Sequence, residues 1–260
     1  MKMSGNTILI TGGSSGIGFE FAKQLLELKN KVIITGRNEE KLKQAKSKLP
    51  ELVTYKHDVA DSESTRALYS ALVKDFPALN ILINNAGVMK STNFYNPDED
   101  LNSLTQEITT NLNGPIWMSH QFIPHLKTKS ESAILNVTSV LGIVPLPLSP
   151  VYSASKAGLI SFTSALRVQL KHTNIKVFEL APPATKTDLV EVFDEKDLAE
   201  LKILTVDSLV EAAVKGMRED SFEIRPGQAT QVYFLNKIAP KFLLKMMSKS
   251  LDRRMESERL

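Results

Sequence analysis

Short runs of β-branched and aliphatic residues alternate along this chain with longer segments in which apolar positions recur every three or four residues. Thr7 to Thr11 is one such run; Phe19, Ala22, Leu25, Leu26 and Leu28 follow at helical spacing, and Val32 to Thr35 is a second run. The predicted order is strand, helix, strand. Glu39 to Leu49 reads as a helix stopped near Pro50, Leu52 to Tyr55 as a strand, Ser62 to Phe76 as a helix and Leu79 to Ile83 as a strand. Leu104 to Leu126 is helical in pattern, Ala133 to Val137 a strand, Tyr152 to Lys171 a long helix and Ile175 to Leu180 a sixth strand. Short, continuously apolar strands alternating with helices predict an α/β architecture, a doubly wound parallel sheet with helices on both faces.

Composition narrows the chemistry. The 260 residues are 42% hydrophobic and 23% charged, with no repeat or low-complexity linker, so residues 1–260 are expected to form a single domain. The chain has no Cys, which excludes thiol nucleophiles, disulfides and thiolate metal sites, and four His leave little room for a multi-histidine metal centre; no metal is expected. Redox chemistry would need a borrowed cofactor. Lys and Arg total 32 against 29 Asp and Glu, a formal charge of +3, too small an excess for a nucleic-acid-wrapping polycation. The N-terminal apolar run ends early in Gly12-Gly13, unlike a signal peptide, and no apolar stretch is long enough to span a membrane, so a cytoplasmic protein is expected.

The first strand leads into Gly12, Gly13, Ser14, Ser15, Gly16, Ile17 and Gly18 and then a helix. Backbone N–H groups in that loop and at the helix N-terminus suit a pyrophosphate, and glycine permits the turn and close approach. The spacing is Gly-x-x-x-Gly-x-Gly, without the Lys-Ser/Thr ending of a P-loop. At the end of the second strand stands Arg37, where a cation favours a ribose 2′-phosphate and an acid would favour the free hydroxyls; Glu39 and Glu40 stand close behind. NADP(H) is therefore expected over NAD(H).

The glycine loop, Asn84-Asn85-Ala86-Gly87, Asn111, Ser139 and Tyr152-x-x-x-Lys156 occur in an order that resembles the short-chain dehydrogenase/reductase family over roughly residues 5–225. That resemblance implies a Rossmann-like fold with these residues around one cleft at the carboxyl ends of the strands. Tyr152 and Lys156, four apart, share a helical face, and a cation near a phenol favours phenolate, so Tyr152 can serve as proton donor or acceptor with a lowered pKa. The family likeness adds that Lys156 binds the nicotinamide ribose, that Ser139 rather than Thr138 hydrogen-bonds the substrate oxygen, and that Asn111 rather than Asn113 holds a water of a proton relay. It also implies that Asp58 bonds adenine with Val59 packed beside it, and that Asn85, Ala86 and Gly87 pass along the cofactor. Asn84 is expected to fasten the central strands. Where the family usually has Pro-Gly-x-x-x-Thr, this chain has Pro182, Pro183, Ala184, Thr185, Lys186 and Thr187; Thr187 can still reach the carboxamide, but Pro183 fixes φ. With the C-terminal pattern, this departure is similar to a bacterial subgroup associated with gene clusters for D-alanylation of cell-wall polymers.

The expected function is hydride transfer between NADP(H) and a small carbonyl or alcohol substrate. A nicotinamide-assisted epimerase or dehydratase and a noncatalytic nucleotide-sensing or scaffold protein are the alternatives. Val140 to Pro150, apolar and stiffened by proline, is a candidate substrate wall, and residues 188–207, with Val190, Phe193, Leu198, Leu201 and Leu204, a candidate lid. Residues 229–260 form a basic amphipathic segment in which Lys237, Lys241, Lys245, Lys249 and Arg253 recur every four positions beside Ile238, Phe242, Leu243, Met246 and Met247, with Pro240 placed to open a helix. A docked helix is the commoner outcome of such a pattern; an acidic partner or anionic membrane surface is the other. The resemblance further implies a homodimer or homotetramer through the helices that carry Asn111 and Tyr152.

Overall fold

The computed structural model describes residues 1–94, 100–187 and 203–257. Seven parallel strands, β1 (Thr7–Thr11), β2 (Lys31–Gly36), β3 (Val53–Lys56), β4 (Leu79–Asn84), β5 (Ser132–Val137), β6 (Ile175–Leu180) and β7 (Glu223–Ile224), form one sheet in the order β3-β2-β1-β4-β5-β6-β7. The strand order reverses direction between β1 and β4, and this switch point opens a crevice at the carboxyl ends of the strands. Helices α1 (Gly16–Glu27), α2 (Glu39–Lys48), α3 (Ser62–Asp75), α4 (Leu101–Ile108), α5 (Gly114–Leu126), α6 (Pro150–Gln169) and α7 (Val206–Arg218) surround the sheet. The Rossmann-like, doubly wound expectation holds.

Period-two geometry divides each strand between two cores. From β1, Ile8 and Ile10 enter a core with Phe21 and Leu25 of α1 and Leu209 and Met217 of α7. Leu9 enters the opposite core, with Leu72 of α3, Phe122 of α5 and Leu166 of α6. Every residue of β1 and β5 is buried, which is why the middles of these strands, Ile8–Ile10 and Ala133–Leu135, are continuously apolar instead of alternating. Asn84 and Asn136 are buried at the ends of β4 and β5: Asn84 Nδ2 donates to Asn136 Oδ1 at 2.8 Å and to Ser119 Oγ at 3.3 Å, and so fastens the central strands.

Several boundaries differ from the sequence expectation. β7 is a seventh strand of two residues, paired to β6 through Glu179 and Leu180. The helical stretch expected from Leu104 begins at Leu101 and contains a π-helical turn, Thr109–Asn113, between α4 and α5. α6 starts two residues before Tyr152, because Pro150 suits the first helical position with its fixed φ and missing N–H. Of the candidate lid, 188–202 lies outside the described residues; Leu204 bridges to Thr185, and Thr205 caps α7 by accepting from Ser208 N. The tail forms two helices, α8 (Ala229–Ile238) and α9 (Pro240–Ser257), with Pro240 opening the second.

Candidate active site

The crevice at the switch point is a cleft of about 720 Å³ whose lining includes Arg37 and Lys41 as well as Met246 and Met247. Its floor is the glycine loop. Gly12 and Gly16 have φ of +64° and +53°, the left-handed region that glycine occupies without penalty. A Cβ on Gly12 would lie 2.8 Å from Ala86 Cα, and one on Gly18 would lie 2.3 Å from Gly12 O, so both are demanded by backbone packing. Gly16 differs: a Cβ there would meet nothing nearer than Thr187 Cγ2 at 3.5 Å, on the cleft side. Ser15 opens α1 without a side-chain cap, which leaves the first N–H groups of the helix for a ligand.

Thr11 and Asn85 hold this loop. Thr11 Oγ1 accepts from Asn85 N and Ala86 N, both at 3.1 Å, while Asn85 Nδ2 donates to Thr11 O and Gly12 O, both at 3.0 Å. Asn85 therefore acts chiefly as a clamp between β1 and β4. Ser14, Ser15, Gly16, Ile17, Arg37, Asp58, Val59, Ala86, Gly87 and Thr187 line the cleft alongside Gly12 and Asn85. Gly18 does not line it and serves packing instead. Asp58 Oδ1 accepts from Ala60 N at 2.9 Å, which shapes the turn after β3. The cradle of open N–H groups, the glycine that faces the cleft and the cations of the lining together fit a dinucleotide phosphate.

Lys41 was not among the sequence candidates, although the signal was present. Asn38 accepts from Lys41 N at 3.0 Å, so the cap that starts α2 places Lys41 beside Arg37 at the cleft. Glu39 is drawn away by Lys56 Nζ at 2.8 Å, whose hydrogen bond and charge hold the Glu39 carboxyl below its ordinary pKa, and Glu40 pairs with Lys43 at 2.8 Å. The two acids thus have cations of their own.

At the other side of the floor, Ser139, Tyr152 and Lys156 converge. Ser139 follows β5; its hydroxyl is near enough to the Tyr152 phenol to lower its pKa, and its Oγ accepts from Leu141 N at 3.1 Å. Thr138 points the other way, toward Glu179 Oε1 and Leu180 O, each at 3.1 Å. Lys156 Nζ stands 5.7 Å from the Tyr152 ring centroid and donates to Val137 O at 2.9 Å. Both side chains are buried. Burial pushes the Tyr152 phenol up to about 12, against the lowering effect of Ser139 and with a further rise from the Glu107 charge, and pushes Lys156 down to about 8. The expected lysine-lowered tyrosine is not what the site shows: burial outweighs the Ser139 contribution and holds the Tyr152 phenol above its ordinary value, neutral and a proton donor over the physiological range.

Asn111 does not line the cleft. It is fully buried, with Nδ2 donating to Val88 O at 2.8 Å and Ser155 Oγ at 3.1 Å, and Oδ1 accepting from Val88 N at 2.9 Å. Its side chain braces the loop after β4 that carries Gly87 against α6. A Cβ on Gly87 would lie 3.4 Å from Asn111 Oδ1 and 3.6 Å from Lys156 Nζ, so Gly87 separates the two.

The substrate side is apolar. Val140, Leu141 and Val144 of the expected wall line the cleft together with Val232 of α8, Leu243, Met246 and Met247 of α9 and Pro183. The sequence pattern of the tail, an apolar stripe beside a basic one, suggests a docked helix or a surface contact and not a lining of the cleft. Among the described residues no group of His, Asp and Glu is arranged to hold a metal ion, and no helix is long and apolar enough to cross a membrane.

A family model described as short chain dehydrogenase matches residues 6–198. The chain is 44% identical over 224 residues to an uncharacterized oxidoreductase, DltE, of Bacillus subtilis, a match covering 86% of this chain and 89% of that protein. It is 35% identical over 193 residues to an NADP-dependent 3-hydroxy acid dehydrogenase of Schizosaccharomyces pombe, covering 72% of this chain and 74% of that one. Among solved structures, a 3-ketoacyl-(acyl-carrier-protein) reductase from Brucella melitensis complexed with NADH superposes with a TM-score of 0.76 at 29% identity, covering 83% of this chain and 91% of that one.

Proposed function

Because the chain belongs to the short-chain dehydrogenase family and is an oxidoreductase of that family, we propose that it reduces a carbonyl compound, or oxidises the matching alcohol, with NADP(H) in preference to NAD(H). The observation that carries this reading is the meeting of Ser139, Tyr152 and Lys156 in the same cleft as the glycine loop.

The bound nicotinamide would supply or accept the hydride. Gly16 and the open N–H groups of α1 would hold the pyrophosphate, Asp58 and Val59 the adenine end, and Lys156 the nicotinamide ribose; Thr187, beside Gly16, would reach the carboxamide. In reduction, the Ser139 hydroxyl donates to the carbonyl oxygen and Tyr152 transfers its proton to the same oxygen as negative charge grows there. Lys156 offers a cation behind Tyr152 that favours the phenolate left at the end of the step. Asn111 keeps the loop of Gly87 in register with α6 through Val88 and Ser155, and would from there hold a water of a proton relay beside Lys156. The apolar lining, from Leu141 to Met247, suits a substrate whose non-reacting part is apolar.

Arg37 and Lys41 support the NADP(H) preference, since two cations at the ribose end match a phosphate better than two hydroxyls. Direct titration of the protein with NADPH and NADH tests it. NADPH is expected to bind more tightly, and the Arg37→Ala/Lys41→Ala variant to lose most of that difference while keeping its affinity for NADH. Equal affinities in the unmodified protein would overturn the preference.

A further inference from the structure

We infer that α8 and α9 dock this protein onto an anionic membrane surface. At the end of α8 Phe234 and Ile238 are 58% and 83% exposed, and after the break at Ala239 Phe242 and Met246 of α9 are 60% and 47% exposed, although the neighbouring Leu243 is 2% exposed and packed at the cleft. With Leu235 and Leu244 also exposed, this concentration of large apolar side chains in one short segment is unlike the scattered singles of an ordinary surface. The same segment exposes four cations, Lys237 on α8 and Lys241, Lys245 and Lys249 on one face of α9. Lys237 lies over the Tyr233 ring at 4.3 Å, and among the described residues Lys241, Lys245 and Lys249 form no ion pair. The acids of α9 are Asp252, bonded by Ser248 Oγ, and Glu256, both near its C-terminal end and beyond the exposed apolar side chains.

Three considerations select a lipid surface as the occupant. The apolar side chains project outward from the helices, as insertion among acyl chains requires, whereas a partner helix needs a groove. The lysines match anionic headgroups, but a two-fold contact with a second copy would bring the same lysines face to face. The helices are too short and too charged to cross the bilayer, so the segment would lie on it. Met246 belongs both to the exposed apolar group and to the cleft lining, which sets the cleft beside the docked face.

Flotation of the full chain with vesicles decides the matter, independently of turnover. The protein is expected to float with phosphatidylcholine vesicles containing phosphatidylglycerol, not with phosphatidylcholine alone, and to be released by salt. Lys241→Gln/Lys245→Gln/Lys249→Gln should weaken binding about a hundredfold, at about fivefold for each charge removed. Ile238→Ser/Phe242→Ser should bind weakly and be released at lower salt, with NADPH affinity and thermal midpoint unchanged as controls for folding. Should that pair fail to fold, the exposed lysine variant alone is decisive. The inference is overturned if the unmodified protein fails to float, if it floats equally with neutral vesicles, or if the lysine variant floats as well as the unmodified protein. It is overturned as well if the variants change only the sedimented mass of the protein, which would assign the segment to a second copy.

Discussion

The ammonium of Lys156 donates to the carbonyl oxygen of Val137 across 2.9 Å, tying the helix that carries Tyr152 to the carboxyl end of β5. The bond partly offsets the removal of a cation from water, and the remainder appears as a lysine whose pKa lies at about 8.

That displacement sets the alkaline behaviour of the fold. Lys156 titrates lower when folded than its ordinary value of 10.5, so between about pH 8 and 10.5 the unfolded chain binds more protons and stability rises with pH. Below that window the folded protein bears the whole cost of the buried cation, roughly 3 kcal/mol. Lys156→Met is expected to abolish this part of the pH dependence. Urea unfolding of both proteins at about pH 7 and about pH 10 measures it, and parallel changes in the two would reject the assignment.

Tyr152→Phe should retain NADPH affinity and lose turnover by about a hundredfold to ten-thousandfold, the usual reach of a positioned proton donor. Since the phenol stays protonated up to about pH 12, the reductive rate should show no loss from Tyr152 ionisation on the way from neutral to moderately alkaline pH. Steady-state rates with a turned-over carbonyl compound are the measurement; wild-type rates in the variant would remove Tyr152 from the mechanism.

The two glycines on either side of Ile17 should fail differently. Alanine at Gly18 must find room 2.3 Å from Gly12 O and 2.5 Å from Asn85 Nδ2, so its cost, about 1–3 kcal/mol, should appear as a lower thermal midpoint without nucleotide. At Gly16 the Cβ has space and only the positive φ is strained, about 1–2 kcal/mol, so the larger loss should be in NADPH affinity. A Gly18→Ala protein that melts with the unmodified one would contradict the packing account.

Acid should destabilise the protein through His57. The ring is buried with Nε2 3.1 Å from Thr65 Oγ1, and burial holds its pKa down at about 4 despite the opposing charges of Asp58 and Asp61. The stability tied to its neutral form is complete above about pH 6.5 and is lost as pH falls toward 4, a change of roughly 3 kcal/mol. His57→Leu should flatten that limb of the stability profile, read by urea unfolding at both ends of the window. An unaltered acid limb would place the sensitivity elsewhere.

The parts of this molecule legible in the sequence are those whose cause is local. β1 and β5 are buried on both faces, so their composition announces them, and the loop after β1 needs glycine for reasons of φ and contact that act over a few residues. β7 has only Glu223 and Ile224 and exists through pairing with β6, a contact that no local pattern records. The π-helical turn at 109–113 hides inside an otherwise helical pattern. Long-range burial also reversed the expected direction of the Tyr152 shift, because adjacency to Lys156 can be read from spacing but exclusion of water cannot. Lys41 was within reach of an Asn38 capping argument, whereas Leu243 and Met247 could be assigned to the cleft only after α9 had been placed.

Leu243, Met246 and Met247 line the cleft from α9, a helix whose other side chains are exposed, so one helix borders both the cleft and the solvent. Any ligand whose affinity depends on how that helix is seated must change the affinity of whatever touches its outer face by the same factor, and the reverse holds with equal force. Were α9 seated on a lipid surface, a dissociation constant measured for the cleft would be a property of that surface as well as of the cleft.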